Sequence, residues 1–406
     1  MSTFTDALAR RTALGLLARI QTGHVLVKDA AGEHRFGDPA EPEVTIRVND
    51  PAAYRRWLSG SAGVGESYAQ GLWDTDDLTA LLRVIVRNLN PLEAAAARWY
   101  RLTNPVADPV RRLRRPDPDR DRTNVRMHYD LSNDFFAAFL DPTMTYSSAV
   151  FDHPGQDLQS AQEAKLDRLC AKLALGPEDH VVEIGTGWGG FAIHAARDYG
   201  CRVTTTTISA AQHEEATQRV RDAGLADRVD VRLEDYRHLE GIYDKAVSIE
   251  MIEAVDWRDL PGYFAALHRL VGDGGLVGLQ AIVIGDDRYD RARVATDFIK
   301  AHVFPGGCLP SVGTITRTAA ENGPLDLIDL EDLGLHYAET LARWHHRLEL
   351  IDDELPALGL DETFARLWSF YLRYCEAAFL ERHVSVVQAV LAGREWQAPG
   401  TLVRPL

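Results

Sequence analysis

The chain has 406 residues, 46% hydrophobic and 26% charged, which suits a soluble protein of two or three domains at about 100–200 residues each and excludes a small disulfide-stapled scaffold. Its 44 Lys and Arg against 60 Asp and Glu leave a net charge of −16, which opposes nonspecific attraction to nucleic acid, so no nucleic-acid partner is expected. No apolar run reaches the roughly 18 residues of a membrane span, and Asp6, Arg10, Arg11 and Arg19 break up the first twenty residues where a secretory signal would be apolar; a cytoplasmic protein is expected.

ALARRTALGLLARI carries apolar residues at helical spacing, and HVLVKD, EHRFGD and EVTIRVND follow as short strands with turn residues between them. PAAYRRWLSG and DLTALLRVIVRNL supply further helices, the second capped by Asp76 or Asp77. Between them, GSAGVGESYAQGLWD holds Gly60, Gly63, Gly65 and Gly71 and reads as a tight turn packed under Tyr68 and Trp73. From Arg98 to Arg126 nine Arg face four Asp, with Pro105, Pro109, Pro116 and Pro118 breaking helix and strand alike. These shifts place a small α+β domain at 1–100, an Arg/Pro-rich linker at 101–122 and a larger domain at 123–406.

In the larger domain strands and helices alternate: HVVEI, FAIHAARDY, CRVTTTTI, AAQHEEATQRVRDAG, VDVRLED, YDKAVSI, LPGYFAALHRLV and GLVGLQAIVI. That order predicts βαβ units in a doubly wound, mostly parallel, Rossmann-like α/β sheet with ligands at the carboxyl ends of its strands. Further on, Phe364, Leu367, Trp368, Tyr371, Leu372, Cys375, Phe379 and Arg382 form a helical stripe that reads as core. Cys170, Cys201, Cys308 and Cys375 lack CxxC spacing, so neither a metal site nor a disulfide framework is expected.

VVEIGTGWGG fits two glycine patterns, the dinucleotide GxGxxG through Gly185, Gly187 and Gly190, and the acidic ExGxGxG loop of S-adenosylmethionine enzymes through Glu183, Gly185, Gly187 and Gly189. Both use glycines to bring backbone close to a ligand at a helix N-terminus. A dinucleotide site also wants an acid at the end of the second strand for the ribose, and here that strand ends in Thr206, Thr207, Ile208 and Ser209. The acid stands inside the loop as Glu183, where it can meet the ammonium of a methionyl group, so the methyl donor is favoured over a nicotinamide. Asp235, at the end of the third strand, is placed to accept from an adenine amino group, and Tyr236 to pack on the ring.

GESYAQGLWD, HYDLSNDFF, LDPTMTYSSAVF, VVEIGTGWGGFA, TISAAQ, SIEMIEAV, FIKAHVFPGGCLPS, HYAETLARW and YLRYCEAAFLER occur in order over nearly the whole chain. In these blocks the sequence resembles the cyclopropane-fatty-acyl-phospholipid synthase family and its mycolic-acid and tuberculostearic-acid methyltransferase relatives. The resemblance implies S-adenosylmethionine-dependent methylation of cis double bonds in the unsaturated acyl chains of phospholipids, closing to cyclopropanes. It implies donor contacts from Tyr146, Ser147, Gly185, Gly187, Trp188, Gly189, Thr207, Ser209 and Gln212, with Asp235 and Tyr236 near the adenine. It further implies that His128, Glu253, Gln280 and Tyr337, with Ser148, line the place where the alkene reacts and a bicarbonate is bound. Ser148 stands where the family has Cys, Gln280 where it has His in the fifth strand, and Ala254 where many members place His.

The chemistry asks for these parts: an alkene is a weak nucleophile that must be held in line with the donor methyl away from water, and the cationic centre then needs negative charge and a base. Glu253 is expected to position that base. A methylene or methyl branch instead of a ring, a small-amine methyltransferase, and a non-catalytic lipid-binding protein stand as alternatives. An acyl chain in a bilayer requires a peripheral membrane encounter at the inner face of the cell membrane, with the basic segment Arg98–Arg126 as the expected contact and a homodimer as the expected assembly.

Overall fold

The computed structural model describes residues 2–92 and 132–398, with side chains from residue 6 onward. The described chain forms two compact units. The first gathers the N-terminal stretch together with Val294–Pro305 and Ala338–Val384; the second takes the remainder, including Gly306–Tyr337. The expected contiguous domain at 123–406 is therefore corrected, because two later segments pack with the N-terminal helices. The expected linker at 101–122 lies outside the described residues.

In the first unit, strands β1 (His24–Asp29), β2 (Gly32–Gly37), β3 (Glu43–Val48) and β4 (Trp73–Thr75) form a sheet in the order β2-β1-β3-β4. Helix Leu78–Arg87 starts where the Asp77 carboxylate accepts from the Ala80 amide at 2.8 Å. The glycine-rich stretch expected as a turn is a helix, Ser61–Ala69, leading into β4. Its glycines serve close packing: a Cβ at Gly65 would lie 2.3 Å from the Phe298 ring, and one at Gly63 would lie 2.1 Å from the Arg56 carbonyl oxygen. Tyr68 does pack edge-on to Trp73, with ring centroids 5.1 Å apart. The aromatic stripe lies on helix Glu362–Leu380, with Trp368, Tyr371, Leu372 and Phe379 buried.

In the second unit, strands β5 (His180–Ile184), β6 (Arg202–Thr207), β7 (Val229–Leu233), β8 (Lys245–Ile249), β9 (Leu276–Ile284), β10 (Leu325–Asp332) and β11 (Val384–Gly393) form one sheet in the order β10-β11-β9-β8-β5-β6-β7. The run from β9 to β7 is parallel, and β10 pairs antiparallel with β11. Strands β10 and β11 were not foreseen. Successive residues of β5 face opposite sides. Val182 packs toward Tyr263, Phe264 and Leu267 of helix Leu260–Val271, whereas Val181 packs toward Leu166 and Leu169 of helix Leu158–Lys172 and Phe191 of helix Gly190–Asp198. Each such fully buried side chain contributes roughly 1.5–3 kcal/mol, and helices on both faces define a doubly wound sheet. The chain travels outward from β5 to β7 and then returns to β8 on the other side, so strand order reverses between β5 and β8. That crevice is where such sheets bind ligands.

Candidate active site

The loop after β5 is built for close approach. Gly185, Gly187 and Gly189 have φ of 101°, 52° and 84°, a region costly for other residues. The amides of Gly185 and Thr186 bond the Thr206 carbonyl of β6 at 3.0 and 3.1 Å, which fixes the turn. Nothing lies within 4 Å of where a Gly187 Cβ would stand, so that face is open to a ligand. Beneath the loop, Glu183 is buried and its Oε2 lies 2.6 Å from the Thr205 hydroxyl, which lies 2.7 Å from that of Thr186. Burial pushes the Glu183 carboxyl up to about 8, against the opposing effects of Thr205 and of the Lys165 charge. Arg219 ties the loop from outside, donating to the carbonyls of Trp188 and Thr143. Trp188 is itself buried, with Nε1 donating to Asn133 Oδ1 at 2.9 Å and its ring against Phe136.

At the end of β6, Thr207, Ser209 and Gln212 form one unit. Ser209 caps helix Ala210–Asp222 by accepting from the Gln212 amide at 3.3 Å, and the Thr207 hydroxyl donates to Gln212 Oε1 at 2.9 Å. Asp235 directs both carboxylate oxygens to Arg237, at 2.9 and 2.6 Å, which together with the neighbouring amide holds it ionised against burial. Tyr236 packs edge-on to Tyr263 at 5.6 Å. Tyr146 packs on Phe136 and Phe139. Thr207, Ser209 and Gln212 thus stand at the carboxyl end of β6 and Asp235 and Tyr236 just beyond that of β7.

Around β8 the arrangement departs from expectation. The Ser147 hydroxyl accepts from Nζ of Lys165, a fully buried lysine, at 2.7 Å. Burial pulls the Lys165 ammonium down to about 8, and the charges of Glu250, Asp141 and Glu183 act in the other direction. The Ser148 hydroxyl turns away to the Ala149 carbonyl; its backbone amide faces the site and donates to Glu250 Oε1 at 2.8 Å. Gln280 Nε2 donates to the same Oε1 at 2.7 Å, and the Tyr337 hydroxyl also bonds the Glu250 carboxylate. Glu253 Oε1 accepts from the Ile282 amide, whereas Oε2 is inaccessible and has no hydrogen-bond partner among the described residues. Burial first, and the Glu250 charge second, push the Glu253 carboxyl up to about 8. Glu250 is also raised by burial, but Lys165, Gln280, Ser148 and Tyr337 all favour its charged form. Of these two neighbouring carboxyls, Glu250 has the donors that favour a charged form, whereas Glu253, with no partner for Oε2 among the described residues, is pushed toward its protonated form. His128 lies outside the described residues.

Sequence reading did not single out Glu250, Lys165, Gln388 or Arg219. The signal for Glu250 was present in SIEMIEAV: an added carboxylate at the end of a central strand, in a chain that also lacks the expected Cys and His at positions 148 and 280. Among the described residues no group of His, Cys, Asp and Glu is placed to hold a metal, and no helix is long and apolar enough to cross a membrane.

A family model described as mycolic acid cyclopropane synthetase matches residues 117–389. The chain is 41% identical over 395 residues to tuberculostearic acid methyltransferase UfaA1 of Mycobacterium tuberculosis (strain ATCC 25618 / H37Rv), covering 95% of this chain and 90% of that protein. It is 35% identical over 348 residues to the cyclopropane-fatty-acyl-phospholipid synthase of Escherichia coli (strain K12), covering 86% and 87%. Among solved structures, mycolic acid cyclopropane synthase CmaA1 complexed with SAH and CTAB superposes with a TM-score of 0.62 at 31% identity, covering 66% of this chain and 97% of that one.

Proposed function

This chain belongs to the mycolic acid cyclopropane synthetase family and is an S-adenosylmethionine-dependent methyltransferase of the cyclopropane-synthase type, and on that premise we propose that it methylates cis double bonds in unsaturated acyl chains of phospholipids and closes them to cyclopropanes. The observation that carries the reading is a carboxylate, Glu250, held by the Ser148 amide and Gln280 at the end of β8 beside the glycine loop, where Met251 lies about 3.1 Å from a Cβ placed on Gly185. S-adenosylmethionine, when bound, supplies an electrophilic methyl group. Gly185, Gly187 and Gly189 give it backbone approach, Thr207, Ser209 and Gln212 border the ribose side, and Asp235 and Tyr236 the adenine side.

Glu250 places negative charge where an alkene becomes cationic, and the groups that hold it, Ser148, Gln280 and Tyr337, are buried, which strengthens that attraction. Glu253, pushed toward its protonated form beside it, adds no second negative charge to the site. Tyr337 and Gln280 hold Glu250 in position. The family resemblance also implies a bicarbonate at this place, and the groups that would hold it are the Ser148 amide, Gln280 and Tyr337. All three already converge on Glu250, so a separate bicarbonate does not fit this donor set.

The higher identity to a tuberculostearic acid methyltransferase favours a second reading, in which a hydride shift precedes proton loss and leaves a methylene branch. The assay is incubation with labelled methyl donor and mono-unsaturated phospholipid vesicles, followed by NMR of the acyl product. Ring-methylene protons support the first reading and vinylidene protons the second; absence of any lipid product overturns both. Because each acyl methylene exposed to water costs about 0.8 kcal/mol, we also propose that the enzyme meets its substrate as a peripheral protein on the inner face of the cell membrane, as a homodimer. Vesicle co-sedimentation of the protein with Arg111, Arg112, Arg114 and Arg115 changed to Glu tests the basic segment as the docking contact, with unchanged vesicle binding assigning docking elsewhere.

A further inference from the structure

We propose that Glu250 is a built-in replacement for bicarbonate, acting as the resident base and counter-charge of the reaction. The inference rests on the lipid-alkylation reading for its chemistry and on four observations for its place.

First, donors from widely separated parts of the chain aim at one carboxylate: the Ser148 amide at 2.8 Å, Gln280 Nε2 at 2.7 Å and the Tyr337 hydroxyl. A set of neutral donors converging on one point, in a buried place, is what an oxyanion site requires. Second, the donors are themselves fixed. Gln388 Nε2 lies 3.1 Å from Gln280 Oε1, so the Gln280 amide presents its hydrogens to Glu250. Third, Glu250 has φ of 48°, a left-handed conformation in which glycine is favoured over glutamate. The chain carries a strained acidic residue at the switch point of the sheet, where strain is tolerated when the side chain has work to do. Fourth, Glu253, which by family resemblance would help hold the anion, has an unpartnered buried Oε2 among the described residues and lies close enough to Glu250 to feel its charge.

The step balances without an external anion. The alkene π pair forms the new carbon–carbon bond to the donor methyl as the sulfur–methyl bond breaks, leaving a neutral thioether and a carbon cation. Glu250 takes one proton from the added methyl, the pair of that carbon–hydrogen bond closes the ring, and Glu250 becomes a neutral acid. It returns the proton to water after the product leaves. Branch formation uses the same proton acceptor after a hydride shift.

The test uses the full chain and three forms: wild type, Glu250→Gln and Glu250→Gly. The glycine variant suits φ of 48° and vacates the donor set. Carbon-13 bicarbonate is titrated against each protein and followed by NMR line broadening. Saturable binding to Glu250→Gly and none to wild type or Glu250→Gln is expected; saturable binding to wild type overturns the proposal. Turnover is then measured in carbon-dioxide-depleted buffer with and without added bicarbonate. Wild type is expected to be indifferent, Glu250→Gln to fall by about 100-fold or more with donor affinity retained, and Glu250→Gly to fall similarly and recover with bicarbonate. A wild type that loses activity on depletion and regains it with bicarbonate, or a Glu250→Gln enzyme near full activity, refutes the assignment. If wild type makes no lipid product in either buffer, the lipid reading fails, while the bicarbonate titration still decides whether Glu250 fills the anion site.

Discussion

Gln388 on β11 donates from Nε2 to Oε1 of Gln280 on β9 at 3.1 Å, and that bond decides which end of the Gln280 amide faces the site. The same Nε2 also donates to the Lys165 carbonyl at 3.2 Å. Gln388 touches no reacting group. It positions Gln280, which donates to Glu250.

Replacing Gln388 with Leu removes that constraint and lets the Gln280 amide turn its oxygen toward Glu250. Loss of a hydrogen bond to a charged group corresponds to roughly 1.5–3 kcal/mol, so turnover is expected to fall about 10- to 100-fold with donor affinity unchanged. Steady-state kinetics with calorimetry of donor binding checks this. A rise in donor dissociation constant at constant turnover would place Gln388 in a different role.

Glu253 links stability to pH. Its carboxyl is raised from 4.5 to about 8 by burial and by the Glu250 charge, so between those values the folded protein holds a proton that the unfolded chain has released. Its stabilising contribution is complete below about pH 4.5 and is lost as pH rises through about 8, at up to about 1.4 kcal/mol per pH unit. Glu253→Gln removes that dependence. Urea unfolding at pH 5.5, 6.5 and 7.5 is expected to show a variant that gains on the wild type at each step, and parallel curves would contradict the assignment. Glu183 adds a slope of the same sign in both proteins, and Lys165, lowered to about 8, acts with the opposite sign only above that pH.

Gly65→Ala pushes a methyl group into the Phe298 ring, where a Cβ would stand 2.3 Å from Cδ2. Overpacking of this kind costs about 1–3 kcal/mol. Thermal melts should show the loss, and Gly65→Ala combined with Phe298→Leu should recover part of it. Additive losses in the double variant would mean that the two positions are not in contact.

What could be read from the sequence was what local pattern determines. Residues 180–184, 202–207 and 245–249 are short runs rich in β-branched Val, Ile and Thr, and they became the strands expected of them. The glycine loop was legible because its backbone geometry admits little else. GSAGVGESYAQGLWD misled because helix glycines that permit close packing look the same in sequence as turn glycines, and Phe298 lies more than two hundred residues away. Strand β10, LDLIDLED, is an edge strand with most residues outward, and its partner β11 comes some fifty residues later. Glu250 escaped notice because its meaning lies in its partners: Ser148, Gln280 and Tyr337 converge on it only after the sheet has formed.

The first unit draws on three separate stretches of chain, and its C-terminal stretch includes helix Glu362–Leu380. Arg83 and Arg87 of helix Leu78–Arg87 both grip Glu381, and Thr79 donates to Glu376. During synthesis, therefore, helix Leu78–Arg87 waits for a partner that follows it by nearly three hundred residues, with most of the second unit translated in between. No single proteolytic cut can release this unit intact, and a fragment ending before residue 362 would leave the faces of Ser61–Ala69 and Leu78–Arg87 without the helix they pack against.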